Sequence, residues 1–275
     1  MRTNYSATKM TEIQTNPAIG KAGIISIRRP DGKGPHPFLL GIHGGGWQEG
    51  NRKSYDWTWS RLKPLQVGLV LCSHRPASEA RFPAAYDDLV HLLRWLNEHA
   101  VEQQLDRERC ALFGCSSGGH LVSLLGTRAM KEENNILPIR ALASYAGIMD
   151  VAAWHGELDR NISAENFFGA TPEQAPEAYR AASPIFHLHD DVPPILMIHD
   201  AEDEIVPVSQ SQRMFTALEN AGHHPILLES EGFGHFGMNA KSPEEEQEFI
   251  FEDDLFDFLK THGVGFSQRQ ETSEP

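Results

Sequence analysis

One short segment constrains the fold of this chain more than any other. Residues 114–118 read Gly-Cys-Ser-Ser-Gly and directly follow the apolar run Cys110-Ala111-Leu112-Phe113. The G-x-S-x-G pattern between a strand and a helix is typical of a nucleophile elbow, a sharp turn that presents a serine hydroxyl at a helix N-terminus. Glycines flank the serine because a larger side chain would collide with neighbouring strands in so tight a bend. The segment therefore predicts a strand, a turn and a helix, with Ser116 as a candidate nucleophile.

Strand and helix patterns alternate along most of the chain. This alternation is typical of an α/β protein with a mainly parallel central sheet flanked by helices. The predicted strands are short apolar runs at 24–28, 38–42, 67–73, 109–113, 141–146, 195–199 and 225–228. The predicted helices, which carry apolar residues at helical spacing, are 86–100, 121–130, 208–221 and 244–259.

One segment interrupts this alternation. Residues 148–191 look rich in loops and contain several aromatic residues. An insertion of this length between two strands predicts a small cap over the active-site end of the sheet. The polar residues 264–275 are expected to form a disordered tail. We therefore predict a single domain over residues 1–275, with the cap as its one insertion.

The composition bounds the class of protein. An apolar fraction of 40% over 275 residues supports a substantial core without a metal or a disulfide. The three cysteines form neither a disulfide framework nor a metal-ligand spacing. The formal charge of −14 disfavours nucleic acid and anionic membranes as partners. Residues 1–20 lack the apolar stretch of a signal peptide, and no segment is long and apolar enough to span a membrane, so a cytoplasmic location is expected.

A nucleophilic serine also needs donors for the oxyanion that forms when it attacks a carbonyl. The run His43-Gly44-Gly45-Gly46-Trp47 follows the predicted strand 38–42. Consecutive glycines let backbone N–H groups approach a substrate oxygen that side chains would otherwise obstruct. The expected donors are Gly44 or Gly45, together with the N–H of Ser117, the residue after the nucleophile.

The acid that orients the catalytic base is expected in the loop after strand 195–199. Four acidic residues crowd this loop, of which Asp203 and Asp200 are the two candidates. Asp203 is favoured because Ile205-Val206-Pro207 follows it and bends the chain into the next helix. Asp200 remains the rival.

The base is expected after the last predicted strand. His235 lies there within Gly232-Phe233-Gly234-His235-Phe236-Gly237, whose glycines leave the imidazole room to reach the serine. Ser116, Asp203 and His235 then follow one another in the order that α/β-hydrolases use. Such a Ser-Asp-His triad completes acyl transfer through an acyl-enzyme without a metal or an organic cofactor, so none is expected.

Three aromatic residues are candidates for lining the acyl or alcohol site: Trp47, Trp154 and Phe167. For Phe167 a place in the hydrophobic core explains the residue equally well. The partner that these features imply is a small-molecule ester.

Together these segments resemble the small esterase and carbohydrate-esterase branch of the α/β-hydrolase superfamily, which includes feruloyl- and acetylxylan-esterase-like proteins. The shared segments run from about residue 24 to residue 259. Besides the two glycine motifs and the triad, they are Phe82-Pro83-Ala84-Ala85 leading to Asp88, Ala182-Ser183-Pro184 and Pro193-Pro194-Ile195-Leu196. The resemblance implies an α/β-hydrolase fold and a serine esterase that cleaves short-chain acyl esters, among them acetylated sugars or oligosaccharides.

Three positions depart from the pattern of that branch. Ser73-His74-Arg75 stands where an Asn/Asp-Tyr-Arg run is usual, Ser117 where alanine is more frequent, and Asp200 where glycine is usual. None of them removes a predicted catalytic group, but each is expected to reshape the pocket.

Two other functions remain alternatives. An amide hydrolase such as an arylformamidase carries a similar glycine loop and the same triad. A non-catalytic binding protein on the same fold typically lacks the serine or the histidine, both of which are present here.

Overall fold

The structure, a computed structural model, describes residues 9–157, 162–235 and 251–264. Its centre is an eight-stranded sheet in the order β1-β2-β4-β3-β5-β6-β7-β8. The strands are β1 Thr11–Gln14, β2 Ile24–Arg28, β3 His36–Ile42, β4 Gly68–Cys72, β5 Leu105–Cys115, β6 Ile139–Tyr145, β7 Ile195–Asp200 and β8 Ile226–Ser230. Strands β3 to β8 run parallel to one another, whereas β2 is antiparallel to both β1 and β4. The predicted mainly parallel sheet is therefore confirmed.

Helices cover both faces of this sheet. They are α1 Trp59–Leu62, α2 Ala84–His99, α3 Ser117–Leu124, α4 Met130–Glu132, α5 Val151–Glu157, α6 Ile162–Phe168, α7 Pro176–Ala182, α8 Ser209–Asn220 and α9 Glu252–Thr261. Strand β3 shows why both faces must be covered: Phe38, Leu40 and Ile42 belong to the apolar cluster that includes α2, α3 and α8, while Leu39 belongs to the cluster that includes α9. A strand that is apolar on both sides needs a helical layer on each.

The predicted helix after the elbow differs from the observed one. The helix after the elbow begins at Ser117 instead of residue 121, and a π-helical turn, Leu125–Ala129, separates α3 from α4. The two glycines at 118 and 119 disfavour a helix by propensity, but here they let α3 pack against the sheet, so packing overrides propensity. The closing helix is described only from Glu252, and residues 244–250 of the prediction lie outside the described residues.

The insertion 148–191 contains more regular structure than expected from its sequence. It holds α5, α6, α7 and a 3-10 turn at Pro184–His187. Its placement as a cap stays a prediction. Ile148, Trp154 and Ser163 from this insertion border a cavity that Ser116 also lines. The predicted disordered tail is wrong at its first residue, because Val264 is buried and its N–H donates to the Leu259 carbonyl over 2.9 Å. Residues 265–275 lie outside the described residues.

An ion pair fixes the loop after β4 to the start of α2. The Arg75 guanidinium donates to both oxygens of Asp88 at 2.6–3.1 Å, and the Arg75 backbone N–H donates to the same carboxylate over 2.9 Å. The Asp88 side chain is almost fully buried, whereas Arg75 keeps about a third of its surface in water. The paired charge is therefore retained without the full cost of burying two ions.

Replacement of this buried carboxylate is expected to destabilise the fold. We expect Asp88→Asn to lower the free energy of unfolding by about 2 kcal/mol, less than for a fully buried pair because Arg75 is partly solvated. Urea denaturation measures this change. The control is Asp87→Asn, which removes the same charge from the exposed neighbouring position and should change stability by no more than about 0.5 kcal/mol. Equal effects of the two variants would contradict this account of the ion pair.

Candidate active site

Four loops that carry the predicted site residues leave the sheet at one edge. The glycine loop follows β3, the elbow follows β5, the segment with Asp203 follows β7, and the segment with His235 follows β8. Because these four strands are parallel, their carboxyl ends lie at the same edge of the sheet. In open α/β sheets this edge is where ligands bind.

The elbow holds Ser116 in a backbone conformation that few non-glycine residues adopt. Its φ is 56° and its ψ is −123°, and its N–H donates to the Tyr145 carbonyl over 2.8 Å. Both flanking glycines are sterically required. A Cβ on Gly114 would lie 2.4 Å from the carbonyl carbon of Gly118, and one on Gly118 would lie 2.1 Å from the Ile42 oxygen. The strained backbone conformation of Ser116 persists because the neighbouring backbone packs closely against both sides of the turn.

A line of hydrogen bonds joins the three side chains that the sequence singled out. His235 Nε2 lies 3.0 Å from Ser116 Oγ, and His235 Nδ1 lies 2.7 Å from Asp203 Oδ2. A carboxylate only accepts, so Nδ1–H is the donor to Asp203 and Nε2 is free to accept the serine proton. This arrangement gives His235 the tautomer that a general base needs.

The Asp203 carboxylate is buried but well supplied with donors. Oδ1 accepts the backbone N–H groups of Ile205 and Val206 over 2.9 and 2.8 Å, and Oδ2 also lies 3.4 Å from His199 Nε2. Burial alone would raise the pKa of Asp203, but the hydrogen bonds from His199, His235 and Val206 outweigh it and hold the pKa well below its ordinary value. The carboxylate therefore stays ionised at neutral pH.

The rival carboxylate, Asp200, has different partners. Its Oδ2 accepts the Ser230 hydroxyl over 2.7 Å and the Phe233 N–H over 3.2 Å, and its Oδ1 accepts the Glu202 N–H over 3.0 Å. Asp200 thus ties the end of β7 to the segment that leads into His235. Burial acts to raise its pKa, but these hydrogen bonds leave the pKa below its ordinary value.

The glycine loop curls over the elbow. Gly44 and Gly45 border the same cavity as Ser116, and the loop closes on itself through N–H groups of Gln48 and Glu49 that both donate to the Gly45 carbonyl. Gly45 has a φ of 118°, a conformation that glycine adopts without strain. Ser117 begins α3 with its side chain fully buried. Its Oγ finds no hydrogen-bond partner within residues 9–157, 162–235 and 251–264, so this departure adds no polar group to the cavity wall.

Behind the loop, Trp47 and His120 anchor it to α3. Trp47 Nε1–H donates to His120 Nδ1 over 3.1 Å, and His120 Nε2–H donates to the Ala182 carbonyl over 2.7 Å. Burial lowers the pKa of His120 to about 4, so the ring is neutral and accepts from the indole.

The cavity in front of Ser116 has a volume of about 850 Å³. Its wall combines backbone, polar and aromatic groups; besides Ser116 and His235, the lining residues are Gly44, Gly45, Gly46, Gln48, Glu49, Ser54, Tyr55, Trp57, Cys115, Ile148, Trp154, Ser163 and Ile205. Trp154 borders this cavity, and its indole N–H donates to the Ile205 carbonyl over 2.9 Å; its contact with substrate stays a prediction. Tyr55 and Trp57 were not predicted, because an aromatic residue in an irregular segment carries no pattern that separates a pocket position from a core position.

The prediction that Trp47 and Phe167 line the substrate site is wrong. Both side chains are fully buried, their rings stack with centroids 4.4 Å apart, and neither borders the cavity that the described residues form. Their aromatic surface packs the glycine loop against α6.

The departing triplet Ser73-His74-Arg75 supports the glycine loop from the other side. The His74 ring stacks on His43 with centroids 4.9 Å apart, and its Nδ1–H donates to the Arg75 carbonyl over 3.0 Å. Burial and, to a smaller extent, the neighbouring His43 lower the pKa of His74 to about 4, against the opposing effects of the Arg75 carbonyl and Asp88. Burial also lowers the pKa of His43. The stack is therefore neutral at pH 7.

This neutral stack should make stability sensitive to acid. Between about pH 6.5 and 4 the unfolded chain binds a proton at His74 that the folded chain excludes, so stability falls as the pH drops through this window. We expect this residue to contribute about 2 kcal/mol to the loss. Urea midpoints measured from pH 7 to 4.5 should fall less steeply for His74→Phe, which keeps an aromatic ring but cannot titrate. Parallel pH profiles for the two proteins would contradict the assignment.

Within the described residues, no helix is both long and apolar enough to cross a membrane.

Comparison with known proteins places this chain in a family. The BD-FAE family model matches residues 26–218, more than half of the chain. The esterase LipC of Mycobacterium tuberculosis is 28% identical over 213 residues, which are 73% of this chain and 53% of LipC. The chain thus spans about half the length of the curated relatives it matches.

Solved structures share the fold over nearly the whole chain. A truncated carbohydrate esterase from gut microbiota superposes with a TM-score of 0.80 at 22% identity, over 92% of this chain and 95% of that one. Esterase Est2 of Thermogutta terrifontis gives a TM-score of 0.75 at 19% identity, over 95% of both chains. The protein therefore has an α/β-hydrolase fold, and it belongs to the BD-FAE family.

Proposed function

We propose that this protein is a serine carboxylesterase that hydrolyses short-chain acyl esters through an acyl-enzyme. One observation carries the proposal: hydrogen bonds connect Ser116 to His235 and His235 to Asp203, and Ser116 borders a cavity that Gly44 and Gly45 also line. A nucleophile, a base and an orienting acid in this geometry are the requirement for acyl transfer. The esterase relatives support the same reaction class.

In the first half of the reaction, Ser116 Oγ attacks the ester carbonyl while its proton moves to His235 Nε2. The ionised Asp203 holds the imidazole in the required tautomer and stabilises the imidazolium. The carbon–oxygen bond to the alcohol then breaks, and His235 returns the proton to the leaving alkoxide. A water molecule repeats the sequence on the acyl-enzyme: His235 takes its proton, hydroxide adds to the acyl carbon, and the proton returns to Ser116 as the acid leaves.

The tetrahedral oxyanion is stabilised by backbone N–H groups. We assign these to Gly44 or Gly45 on one side and Ser117 on the other. Ser117 is the first residue of α3, so its N–H points out of a helix N-terminus, where negative charge is favoured. Losing one such donor typically costs about 100- to 1,000-fold in rate.

The cavity wall favours a polar alcohol group in the substrate. Gln48, Glu49, Ser54 and Ser163 offer hydrogen-bonding side chains, and Trp57 and Trp154 offer flat aromatic surfaces beside them. This mixture suits the hydroxyl groups and apolar ring faces of a sugar. We therefore propose acetylated sugars or oligosaccharides as the natural substrates, in line with the similarity to a structure described as a carbohydrate esterase.

The first test compares p-nitrophenyl acetate, butyrate and octanoate as substrates. We expect the wild-type protein to cleave the acetate ester best. Ser116→Ala should lose at least about 1,000-fold in kcat, because the nucleophile is absent while the oxyanion donors remain. Circular dichroism checks that both proteins are folded. Undiminished activity of the variant would contradict the proposed mechanism.

The two carboxylates of the β7 loop provide a matched pair. Asp203→Asn should lower kcat by about 10,000-fold, because an amide cannot hold the required tautomer of His235. Asp200→Asn removes a charge three residues away, but the Asp200 carboxylate bonds to Ser230, Phe233 and Glu202 and not to His235, so we expect a loss below about 100-fold. Steady-state kinetics on p-nitrophenyl acetate measures both. The reverse order would assign the orienting role to Asp200.

The substrate class is tested by comparing kcat/KM for acetylated xylo-oligosaccharides, feruloyl esters and N-formylkynurenine. The proposal predicts the highest value for the acetylated oligosaccharides. A higher value for N-formylkynurenine would instead support the amide-hydrolase alternative.

A further inference from the structure

Tyr55 occupies a position between the two halves of the proposed site. It belongs to a 3-10 segment, Arg52–Thr58, that follows the glycine loop, and only 4% of its surface is exposed. Its ring packs edge-on against Phe113 of β5, with centroids 4.9 Å apart. On the β3 side it lies against Gly41, where a Cβ would approach the ring to 3.0 Å. The ring is therefore held by both strands from which the glycine loop and the elbow emerge.

The Tyr55 hydroxyl completes the hydrogen bonding of the elbow. It accepts the backbone N–H of Cys115, the residue before the proposed nucleophile, over 2.9 Å. The last residue pair between β3 and β5 is Ile42 with Gly114, so the sheet offers Cys115 no acceptor on that side. On the other side, the next N–H, that of Ser116, donates to Tyr145 of β6. The two peptide groups that precede Ser116, one on each side of Cys115, are thus held from opposite directions.

The same hydroxyl is close to the glycine loop. The backbone groups of Cys115 and Gly44 both lower the pKa of Tyr55, but burial outweighs them and raises that pKa well above its ordinary value. The hydroxyl therefore stays neutral, and its oxygen keeps the hydrogen bond from the Cys115 N–H. Tyr55 also borders the cavity together with Gly44 and Ser116.

We infer that Tyr55 is a positioning residue, whose hydroxyl fixes the distance between the nucleophile elbow and the glycine loop that carries the oxyanion donors. This inference rests on the proposed function, because it assigns a role within the same reaction. Tyr55 acts through the backbone of Cys115 and through its packing against Gly41 at the base of the glycine loop, and it takes no part in bond making. We expect the hydroxyl to stabilise the transition state more than the bound substrate, because Ser116 and the oxyanion donors must act on the same carbonyl group only when the oxyanion forms.

The test variant is Tyr55→Phe, which keeps the ring packing and removes only the hydroxyl. We expect kcat for p-nitrophenyl acetate to fall by about 10- to 100-fold, because small displacements of reacting groups cost about that much. KM should stay within about threefold, because ground-state binding does not use the oxyanion donors.

The matched control is Tyr179→Phe. Tyr179 is equally buried, and its hydroxyl donates to the Ala170 carbonyl over 3.1 Å within the 148–191 insertion. The control should lower Tm by an amount similar to Tyr55→Phe but leave kcat within about twofold, since both lose one hydrogen bond of a buried hydroxyl. A purely structural role for Tyr55 would instead give both variants the same kinetics.

A second readout does not require ester turnover. A fluorophosphonate labels an activated serine and places a phosphonyl oxygen where the oxyanion forms. Its rate of labelling at Ser116, followed by intact mass, should fall for Tyr55→Phe by about the same factor as kcat and stay unchanged for Tyr179→Phe.

The outcomes separate the two claims. If wild type hydrolyses esters and Tyr55→Phe keeps wild-type kcat and labelling rate, the positioning role is overturned and the proposed function stands. If wild type hydrolyses no ester but Ser116 is labelled, and labelled more slowly in Tyr55→Phe, the esterase proposal fails while the positioning role is supported. If Ser116 is not labelled in wild type, both are overturned.

Discussion

The geometry of the site depends on a backbone contact between the nucleophile elbow and the end of β3. A Cβ on Gly118 would lie 2.1 Å from the Ile42 oxygen and 2.7 Å from the His43 oxygen, so the two chains touch with no side chain between them. Since β3 and β5 are also paired in register up to Ile42 and Gly114, the elbow and the glycine loop leave the sheet as one rigid unit. This contact holds Ser116 and the backbone of the glycine loop at the same end of one cavity before any substrate binds, which is the preorganisation that electrostatic catalysis needs.

Some polar groups around this unit contact the imidazole of His235, and others hold the surrounding backbone in place. Asp203 and Asp200 lie three residues apart and are both buried, yet one meets the imidazole of His235 and the other meets the backbone that leads to it. The histidines near the glycine loop, His74 and His120, are neutral rings that stack or hydrogen bond, because burial keeps their pKa near 4. The two histidines behind the loop are therefore uncharged at neutral pH, whereas Asp203 keeps its charge beside the imidazole of His235.

The sequence predicts the parts of this protein that depend on local spacing. Runs of apolar residues locate the central strands, and the bounds of β2 agree with the prediction at both ends. The edge strand β1 escapes prediction because Thr11–Gln14 is largely polar, so its pairing with β2 leaves no apolar signature. The short helices α5 to α7 escape it because they are fixed by packing in the insertion and carry no long periodic pattern.

Among the site residues, too, those that stand in local motifs are predicted from the sequence, and those fixed by packing are not. Ser116, Asp203 and His235 stand in motifs with fixed places relative to the strands, and the structure brings the three side chains together. Tyr55 carries no such motif. Its proposed role comes from the Cys115 N–H, which has no partner in β3 because β3 ends while β5 continues, and which donates to the Tyr55 hydroxyl instead. Trp47 was misplaced for a related reason: its position beside the glycines is readable from sequence, but the inward direction of its ring is set by Phe167 and His120.

The most direct test of the central claim is to look for the acyl-enzyme itself. The protein is mixed with p-nitrophenyl acetate, quenched in acid at successive times and digested for peptide mass spectrometry. The account predicts a transient acetyl group on the peptide that contains Ser116, which forms before steady-state turnover and decays once the substrate is consumed. Continued hydrolysis without acetylation of that peptide at any time, or with the acetyl group on another residue, would contradict it.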